Sequence, residues 1–208
     1  MTQRCVAREW EQAGPCALTK GTKCLASIRT KPKQLRLEAI RCVNLRSSHW
    51  GYNLDTRALR NTLGQFATGV CILTTQTSDH RSIGMTVNSF AAVSLDPALV
   101  LWSIQNTSEC FKEFTECERY GISILKGSQQ ALSDRYARSL AHEMDVVDTM
   151  VNDAGVPLVK DALATLSCRL TALHQGGDHH IIVGEVEALT HSEGEPLVFF
   201  SGGYQRLA

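Results

Sequence analysis

From residue 70 onwards, short apolar runs alternate with polar or glycine-containing turns. The runs have the length of strands and are rich in the β-branched and aromatic residues that sheets favour. Strands that follow one another, separated by short polar turns, are typical of antiparallel barrels and sandwiches. The pattern predicts a mainly β fold with strands at 70–75, 85–90, 98–102, 120–125, 163–173, 180–189 and 197–200.

The stretch 84–106 is predicted to form two strands joined by a tight turn. The first strand, 85–90, alternates short polar side chains with apolar ones. Proline cannot continue a central ladder, so Asp96-Pro97 places the turn between the two strands. The second strand, 98–102, is almost wholly apolar, which is typical of a strand that is buried on both faces.

Short hydrogen-bonding side chains follow this strand pair. Groups mounted on a sheet can be positioned accurately, and amides and hydroxyls suit the polar edge of a flat heterocycle. We therefore predict a binding surface for a planar, polar molecule. The residues concerned are Thr86, Asn88, Ser89, Ser103 and Asn106.

Two helices are predicted on either side of the strand pair. Asp55 is a suitable N-cap for the first helix, which carries apolar residues at helical spacing. This helix should end at about Thr68-Gly69, because glycine commonly terminates helices. The second covers 129–137. The segment 140–155 is acidic and mixed, and we expect it to be a mobile loop that includes some helix.

A further helix is predicted to begin at Thr107 or Ser108 and to place Phe111 and Phe114 on one face. A helix N-terminus presents free N–H groups and partial positive charge, so it suits an anion, and the two hydroxyls add donors. A plain capped helix without a ligand explains the same residues. The sequence leaves both interpretations open.

Composition narrows the class of protein. A chain of 208 residues, 43% of them hydrophobic, suits one globular domain. With 21 basic and 21 acidic residues the net charge is near zero, which does not indicate binding to nucleic acid. No apolar run approaches the roughly 20 residues that span a membrane, and the N-terminal residues lack a secretory h-region. We therefore expect a cytoplasmic protein.

The chain has eight cysteines, but none forms a C-x-x-C pair, and no metal-site spacing is present. Cys71 and Cys168 lie in apolar, strand-like runs and are predicted to be buried small hydrophobes. Neighbouring strand residues point to opposite faces, so Asp178, His179 and His180 are not predicted to share a metal. We expect no metal site.

Residues 1–50 differ from the rest of the chain. They contain ten of the 21 basic residues, three acids and no clear hydrophobic period. We expect them to be a poorly ordered, dispensable extension, or translated sequence upstream of the true start, before a single domain at 51–208. The alternative is a basic arm for a partner or a targeting segment.

Four short motifs occur along the chain. They are Gly-Met-Thr-Val-Asn-Ser-Phe at 84–90, Val-Ser-Leu-Asp-Pro at 93–97, Gly-Asp-His at 177–179 and Gly-Tyr at 203–204. In this order they resemble the motifs of the short-chain flavin reductase family, the small reductase components of two-component flavin monooxygenases. The first two resemble the flavin-contacting core of that family, and the resemblance covers about the last three quarters of the chain.

The resemblance implies an antiparallel split β-barrel that binds FMN, with a few peripheral helices. It implies a homodimer whose flavin site lies near the subunit interface. The implied activity is hydride transfer from NADH or NADPH to FMN or FAD, with release of reduced flavin to a partner oxygenase. The alternatives are a flavoprotein that keeps its FMN and reduces another acceptor, such as a cobalt-corrin, and a flavin-binding module without turnover.

The resemblance also implies roles for single residues. His179 is implied as the catalytic residue, near bound NAD(P)H. In the family, small hydroxyl residues after the central strand bind the flavin phosphate, which favours the anion-binding interpretation of Thr107 and Ser108. The implied cofactor-binding residues are Met85, Thr86, Val87, Asn88, Ser89, Ser103, Asn106, Thr107, Ser108, Phe111, Gly177, Asp178 and Tyr204.

Two of these roles have structural alternatives. Asp178 and His179 also fit a hairpin with local turn hydrogen bonds, and Tyr204 equally fits a core anchor. The family carries a phenylalanine-containing segment on the substrate side of the flavin, where this sequence has His142, Met144 and Val147. No G-x-G-x-x-G follows a strand, so the dinucleotide site is expected on the barrel itself.

Overall fold

The structure is a computed structural model that describes residues 54–207. The predicted extension at 1–50 lies outside the described residues. The described helices are α1 Thr56–Leu63, α2 Phe111–Glu116 and α3 Gln130–Tyr136, the last preceded by a 3-10 turn at Gly127–Gln129. None of these helices is long and apolar enough to cross a membrane.

Strands dominate the described part of the chain, as predicted. They are β1 Thr68–Gly69, β2 Cys71–Gln76, β3 Ser82–Val87, β4 Ala91–Leu95, β5 Ala98–Gln105, β6 Arg119–Ile124, β7 Thr149–Val151, β8 Pro157–Val159, β9 Ala164–Gly176, β10 His179–His191, β11 Val198–Phe200 and β12 Gly203–Gln205. Seven of them form one antiparallel sheet in the order β3-β2-β6-β9-β10-β5-β4. Two small antiparallel sheets, β1-β11-β12 and β7-β8, complete the fold.

The main core lies on one face of the large sheet. Trp102 is fully buried and meets Phe114 and Tyr120 edge-to-face, with ring centroids 5.1 and 5.9 Å apart. Such aromatic pairs add to the area they bury, so they hold α2 against the sheet. Cys71 and Cys168 lie in the same cluster, as predicted, and burial raises the pKa of each thiol to about 12.

A serine joins the two ends of the large sheet. Ser89 follows β3, at one edge, and its hydroxyl accepts from the Ser103 amide at 3.0 Å and donates to the Ser103 carbonyl at 3.1 Å. Ser103 belongs to β5, next to the opposite edge. The sheet therefore curls until its ends meet, which agrees with the split barrel that the resemblance implies.

The central strand prediction at 84–106 was wrong in its pairing. The Asp96-Pro97 turn is present, but it joins β4 to β5, while β3 pairs with β2 at the far edge of the sheet. The predicted strand 85–90 stops at Val87 because the chain bends at Asn88, and the Ser89 side chain then bonds to Ser103 of β5. Strand β5 is also not buried on both faces, since Val100, Trp102 and Ile104 are buried and alternate with partly exposed residues.

Helix α1 begins as predicted, with the Asp55 carboxylate accepting from the Arg57 amide at 2.9 Å. Its predicted end at 68–69 was wrong. The helix ends at Leu63 because Gly64 caps it and the Gly64 carbonyl accepts from the amide of Ser201 at 2.8 Å. Thr68–Gly69 instead pairs with β11.

The predicted helix start at Thr107 or Ser108 was also wrong. Two hydrogen-bonded turns occupy this region. In the first, the Ser108 amide donates to the Gln105 carbonyl, and in the second, the Phe111 amide donates to the Ser108 carbonyl. Helix α2 therefore begins at Phe111, with Cys110 as N-cap and no side-chain cap. The two hydroxyl residues precede the helix and do not form its first turn.

The segment 140–155 contains no helix in the described structure, contrary to the prediction. Its backbone adds to the free edge of β3: the Gly84 amide donates to the His142 carbonyl at 2.8 Å, and the Met144 amide donates to the Ser82 carbonyl at 2.9 Å. An unpaired edge strand exposes backbone donors and acceptors, so covering it favours extended chain over helix. Strand β7 follows, paired with β8.

Candidate active site

A cleft of about 470 Å³ opens where the end of β3 meets the end of β5. This volume lies within the range of roughly 300–1,000 Å³ typical of small-molecule sites. One side is the sheet wall, which we define as residues 85–89 and 103–105. The other side consists of the turn 107–109 and the rim segment, which we define as residues 137–144 after α3.

The sheet wall carries most of the predicted cofactor-binding residues. Met85, Thr86 and Val87 end β3, and Asn88 is exposed just beyond it. The Thr86 hydroxyl donates to the Ser133 carbonyl of α3 at 2.8 Å. Because Thr86 and Ser89 both bond to the protein itself, they brace the wall, and Asn88 is left as its most accessible amide.

The turn before α2 places two hydroxyls at the cleft. Thr107 is exposed, and the Ser108 hydroxyl accepts from the Cys110 amide at 3.3 Å and lies 3.5 Å from the sulfur of Met85. The hydroxyl of Ser108 is thus held between the turn and β3. Its single O–H donates to this sulfur, which is a weak acceptor, so a stronger acceptor in the cleft can take that hydrogen bond instead.

The β9–β10 hairpin brings His179 to the cleft. The turn between the strands contains Gly177, whose φ of 70° is readily adopted only without a side chain, and Asp178. His179 Nδ1 lies 2.7 Å from the Asp178 carboxylate, and this hydrogen bond holds the pKa of Asp178 below its usual range. The carboxylate therefore orients the ring while the other nitrogen stays free.

Asn106 fixes that hairpin to the rest of the site. The backbone N–H of Asn106 donates to the Asp178 carbonyl at 2.9 Å. The side-chain oxygen of Asn106 lies 2.7 Å from Nδ1 of His180. His180 in turn packs edge-to-face on Phe111 at 5.1 Å. Asn106 and Phe111 therefore support the turn that carries His179 without lining the cleft.

The rim segment contributes a second histidine. His142 is largely buried, with 16% of its side chain exposed, and its Nδ1 lies 3.1 Å from the Gly84 carbonyl. Its Nε2 lies 3.5 Å from the carboxylate of Glu109. Glu109 also accepts from the Leu140 amide at 2.8 Å, so one side chain ties the turn to the rim segment.

The charge of the cleft is unusual for a site that would hold phosphate. Its lining residues, all within the described part of the chain, include no lysine or arginine and a single carboxylate, Glu109. The remaining donors are hydroxyls, amides and the rings of His142 and His179. This donor set suits the polar edge of a flavin ring and a weakly held phosphate. In residues 54–207, no three His, Cys, Asp or Glu side chains are grouped to hold a metal ion.

The structure brings nine of the predicted site residues together. Met85, Thr86, Val87, Asn88, Ser89, Ser103, Thr107, Ser108 and His179 line the cleft. Gly177 and Asp178 shape the turn behind His179, and Asn106 and Phe111 support it.

Tyr204 does not line the cleft. Its hydroxyl lies 2.8 Å from that of Ser133, and its ring packs on Phe199 at 5.6 Å in the second core cluster. These contacts match the alternative of a core anchor, which the sequence left open.

Sequence analysis missed five residues on the far side of the cleft. They are Glu109, Tyr136, Ala137, Ser139 and His142. None belongs to a motif of the resemblance. Glu109 directly follows Ser108, and the other four reach the cleft through contacts between segments far apart in sequence. The one available signal was that His142 occupies a segment where the family carries phenylalanine.

Comparison with known proteins agrees with this geometry. Residues 63–208 match the model of the flavin reductase like domain. The FMN reductase (NADH) SmoA of Agrobacterium fabrum is 45% identical over 154 residues, which is 74% of this chain and 87% of that protein. HsaB of Mycobacterium tuberculosis, the reductase subunit of a flavin-dependent monooxygenase, is 32% identical over 154 residues, 73% of this chain and 82% of that protein.

A solved structure supports the same assignment. The flavin reductase PheA2 superimposes with a TM-score of 0.69 and 40% identity, covering 74% of this chain and 99% of that one. The mainly β, antiparallel fold and the predicted family are both confirmed. The chain belongs to the family of the flavin reductase like domain.

Proposed function

We propose that this protein is an NADH-dependent flavin reductase that transfers a hydride to FMN or FAD in the cleft between the sheet wall and the rim segment. The observation that carries the proposal is the meeting of His179 with the hydroxyl- and amide-bearing sheet wall in one cleft of about 470 Å³. Because the chain belongs to the family of the flavin reductase like domain, we assign flavin reduction to that cleft.

The protein contributes binding and orientation. Bound flavin and nicotinamide supply the hydride chemistry. Holding the two rings in alignment can lower the activation barrier by several kcal/mol, as it does in oriented intramolecular reactions. We assign Asn88 and the backbone of 86–89 to the flavin edge, Thr107 and Ser108 to the phosphate, and His179 to the dinucleotide. No acid–base triad is needed for this reaction.

The decisive experiment measures oxidation of NADH and of NADPH with FMN, FAD and riboflavin in turn. We expect NADH oxidation with at least one flavin, and a colourless protein after gel filtration, since a cleft without lysine or arginine holds phosphate weakly. A yellow protein that oxidises NADH only with another acceptor would favour a tight flavoprotein. Flavin binding without oxidation of either dinucleotide would favour a non-catalytic module.

The phosphate assignment has its own test. Ser108→Ala removes a hydroxyl that can donate to the phosphate, so FMN affinity should fall by about five- to tenfold, which corresponds to about 1 kcal/mol, the value of a typical hydrogen bond. Riboflavin has no phosphate, and its affinity should stay within twofold. Fluorescence titration measures both; equal losses for the two flavins would remove Ser108 from the phosphate site.

We also propose that reduced flavin passes to an oxygenase in the cytoplasm, because relatives such as HsaB are reductase subunits of flavin-dependent monooxygenases. Oxygenation by that partner should require this protein, NADH and flavin together. In this proposal only flavin and dinucleotide bind in the cleft, so the cleft does not identify the substrate of the oxygenase.

A homodimer is the oligomeric state that we propose. Helix α1 buries none of its side chains, and Leu63 is 65% exposed. At the edge of the large sheet, Leu95 of β4 is 96% exposed. Apolar surface of this kind is typical of a subunit interface. Sedimentation velocity should give twice the mass of one chain; a monomer at micromolar concentration would contradict the proposal.

We further propose that residues 51–208 are the functional domain. The family match begins at residue 63, and the basic residues of 1–50 lie before it. Deletion of 1–50 should leave NADH oxidation and thermal stability unchanged. A deletion variant that is insoluble or inactive would show that the segment belongs to the domain.

A further inference from the structure

An acidic side chain stands beside the hydroxyls that we assign to the flavin phosphate. Glu109 follows Thr107 and Ser108 directly, and all three line the cleft. Among the described residues that line the cleft, no lysine or arginine offsets the carboxylate. A phosphate next to an uncompensated carboxylate would be repelled, because like charges a few ångströms apart disfavour each other even near a protein surface.

His142 is placed to remove that repulsion. Its ring lies between two acceptors: the Gly84 carbonyl is 3.1 Å from Nδ1, and the Glu109 carboxylate is 3.5 Å from Nε2. A carbonyl oxygen can only accept, so Nδ1 donates to Gly84. When Nε2 also carries its proton, the ring faces both acceptors with N–H groups and brings a positive charge to the carboxylate.

The backbone of the rim segment completes this arrangement. The Leu140 amide donates to the same carboxylate oxygen that faces His142, at 2.8 Å. The His142 carbonyl accepts from the Gly84 amide at 2.8 Å, so the histidine is attached to β3 through both its backbone and its ring. Glu109 is thereby held toward the rim segment by the Leu140 amide, and its carboxylate faces the ring of His142.

We propose that His142 is a specificity-determining residue, which compensates Glu109 and so lets the cleft accept a phosphate-bearing flavin. The pair decides how strongly the protein distinguishes FMN from riboflavin, while contributing little to binding of the flavin ring. The proposal rests on the proposed function, because it requires that flavin enters this cleft.

Two substitutions with opposite expected effects test it. Glu109→Gln keeps an oxygen for the Leu140 amide and removes the negative charge, so the Kd for FMN should fall about three- to tenfold. His142→Gln keeps a donor of similar size and removes the possible positive charge, so the Kd for FMN should rise by about the same factor. For both variants the Kd for riboflavin should stay within twofold.

The double variant separates charge compensation from a structural effect. The double variant carries neither charge, and the two expected effects are opposite and of similar size, so its Kd for FMN should lie within about twofold of that of the unaltered protein. The matched control is Glu143→Gln, which removes the same charge from the rim segment at an exposed position that faces Arg81 and does not line the cleft. It should leave the ratio of the two Kd values unchanged.

All titrations measure flavin binding by fluorescence, without NADH, and each variant is also melted to confirm that it folds. Tighter FMN binding by Glu109→Gln cannot result from misfolding. If both variants weaken FMN and riboflavin equally, the pair only holds the rim segment in place, and the proposal is wrong. If the unaltered protein binds neither flavin, the proposed function itself fails, which is a different outcome.

Discussion

The two walls of the cleft are built in different ways. Behind the sheet wall lies the main core, where Trp102 and Tyr120 are fully buried. The rim segment is less deeply packed: Met144 is buried in the second core cluster, but Leu140 is 92% exposed at a φ of 62°. Hydrogen bonds to Glu109, Gly84 and Ser82 hold the rest of the segment in place.

This difference separates stability from selectivity. A wall that belongs to the core cannot change without cost to the whole fold, because packed interiors transmit strain. A segment held by a few polar contacts can vary in sequence and still leave the barrel intact. We therefore expect substitutions in the sheet to affect unfolding, and substitutions around the rim segment to affect which ligand is bound.

The largest expected effect comes from the core behind the sheet wall. Trp102→Ala removes a fully buried ring that contacts Phe114 and Tyr120, and it should lower the free energy of unfolding by about 3–5 kcal/mol. The matched control is Leu140→Ala in the rim segment, which should change it by less than about 0.5 kcal/mol. Urea denaturation measures both, and similar losses would remove the distinction between the walls.

The next effect concerns the hairpin at the edge of the sheet wall. If His179 orients the dinucleotide, His179→Ala should reduce kcat/KM for NADH about ten- to hundredfold, which corresponds to about 1.4–2.7 kcal/mol of transition-state stabilisation. Flavin affinity should change little, because the flavin contacts that we assign lie at 86–89, at the end of β3, whereas His179 begins β10. Stopped-flow reduction at saturating flavin separates binding from hydride transfer.

The control for this substitution is His174→Ala, an exposed histidine of β9 outside the cleft. It should leave both rate and affinity unchanged. Wild-type reduction by His179→Ala at every NADH concentration would make His179 a turn residue only, as the local hydrogen bond with Asp178 allows.

The smallest expected effect tests whether water is excluded from Cys71 on the buried face of the sheet. Burial raises the pKa of Cys71 from 9.0 to about 12, so the folded protein keeps this thiol protonated while the unfolded chain loses its proton near pH 9. Because the pKa of this thiol is higher in the folded protein than in the unfolded chain, the protonated thiol stabilises the folded state below pH 9. That contribution to the free energy of unfolding is lost as the pH rises from 9 toward 12. Cys71 alone should lower the unfolding free energy by about 1 kcal/mol between pH 8 and pH 10.

The measurement is urea denaturation in reducing buffer at the two pH values. Cys71→Ala, compared with itself at both pH values, should lose less stability than the unaltered chain over the same interval. An equal loss would mean that water reaches this strand or that other groups account for the pH dependence.

Much of the fold was predictable because its signals are local. Strand periodicity, the Asp55 cap and the glycine of the β9–β10 turn each depend on neighbours within a few residues, and the structure confirms all three. The motif at 84–90 and His179 were found in the same way. Local patterns failed at the start of α2, where two backbone turns take the place of a side-chain cap.

The sequence by itself determined the β class, the β9–β10 hairpin, the family and most side chains of the sheet wall, since alternation of apolar residues and motif order are written along the chain. Only the tertiary structure decided that β3 meets β5 through Ser89, and that Glu109 faces His142 on the far side of the cleft. Both contacts join segments separated by long loops or whole strands. Their geometry depends on the curl of the seven-stranded sheet, which no local pattern specifies.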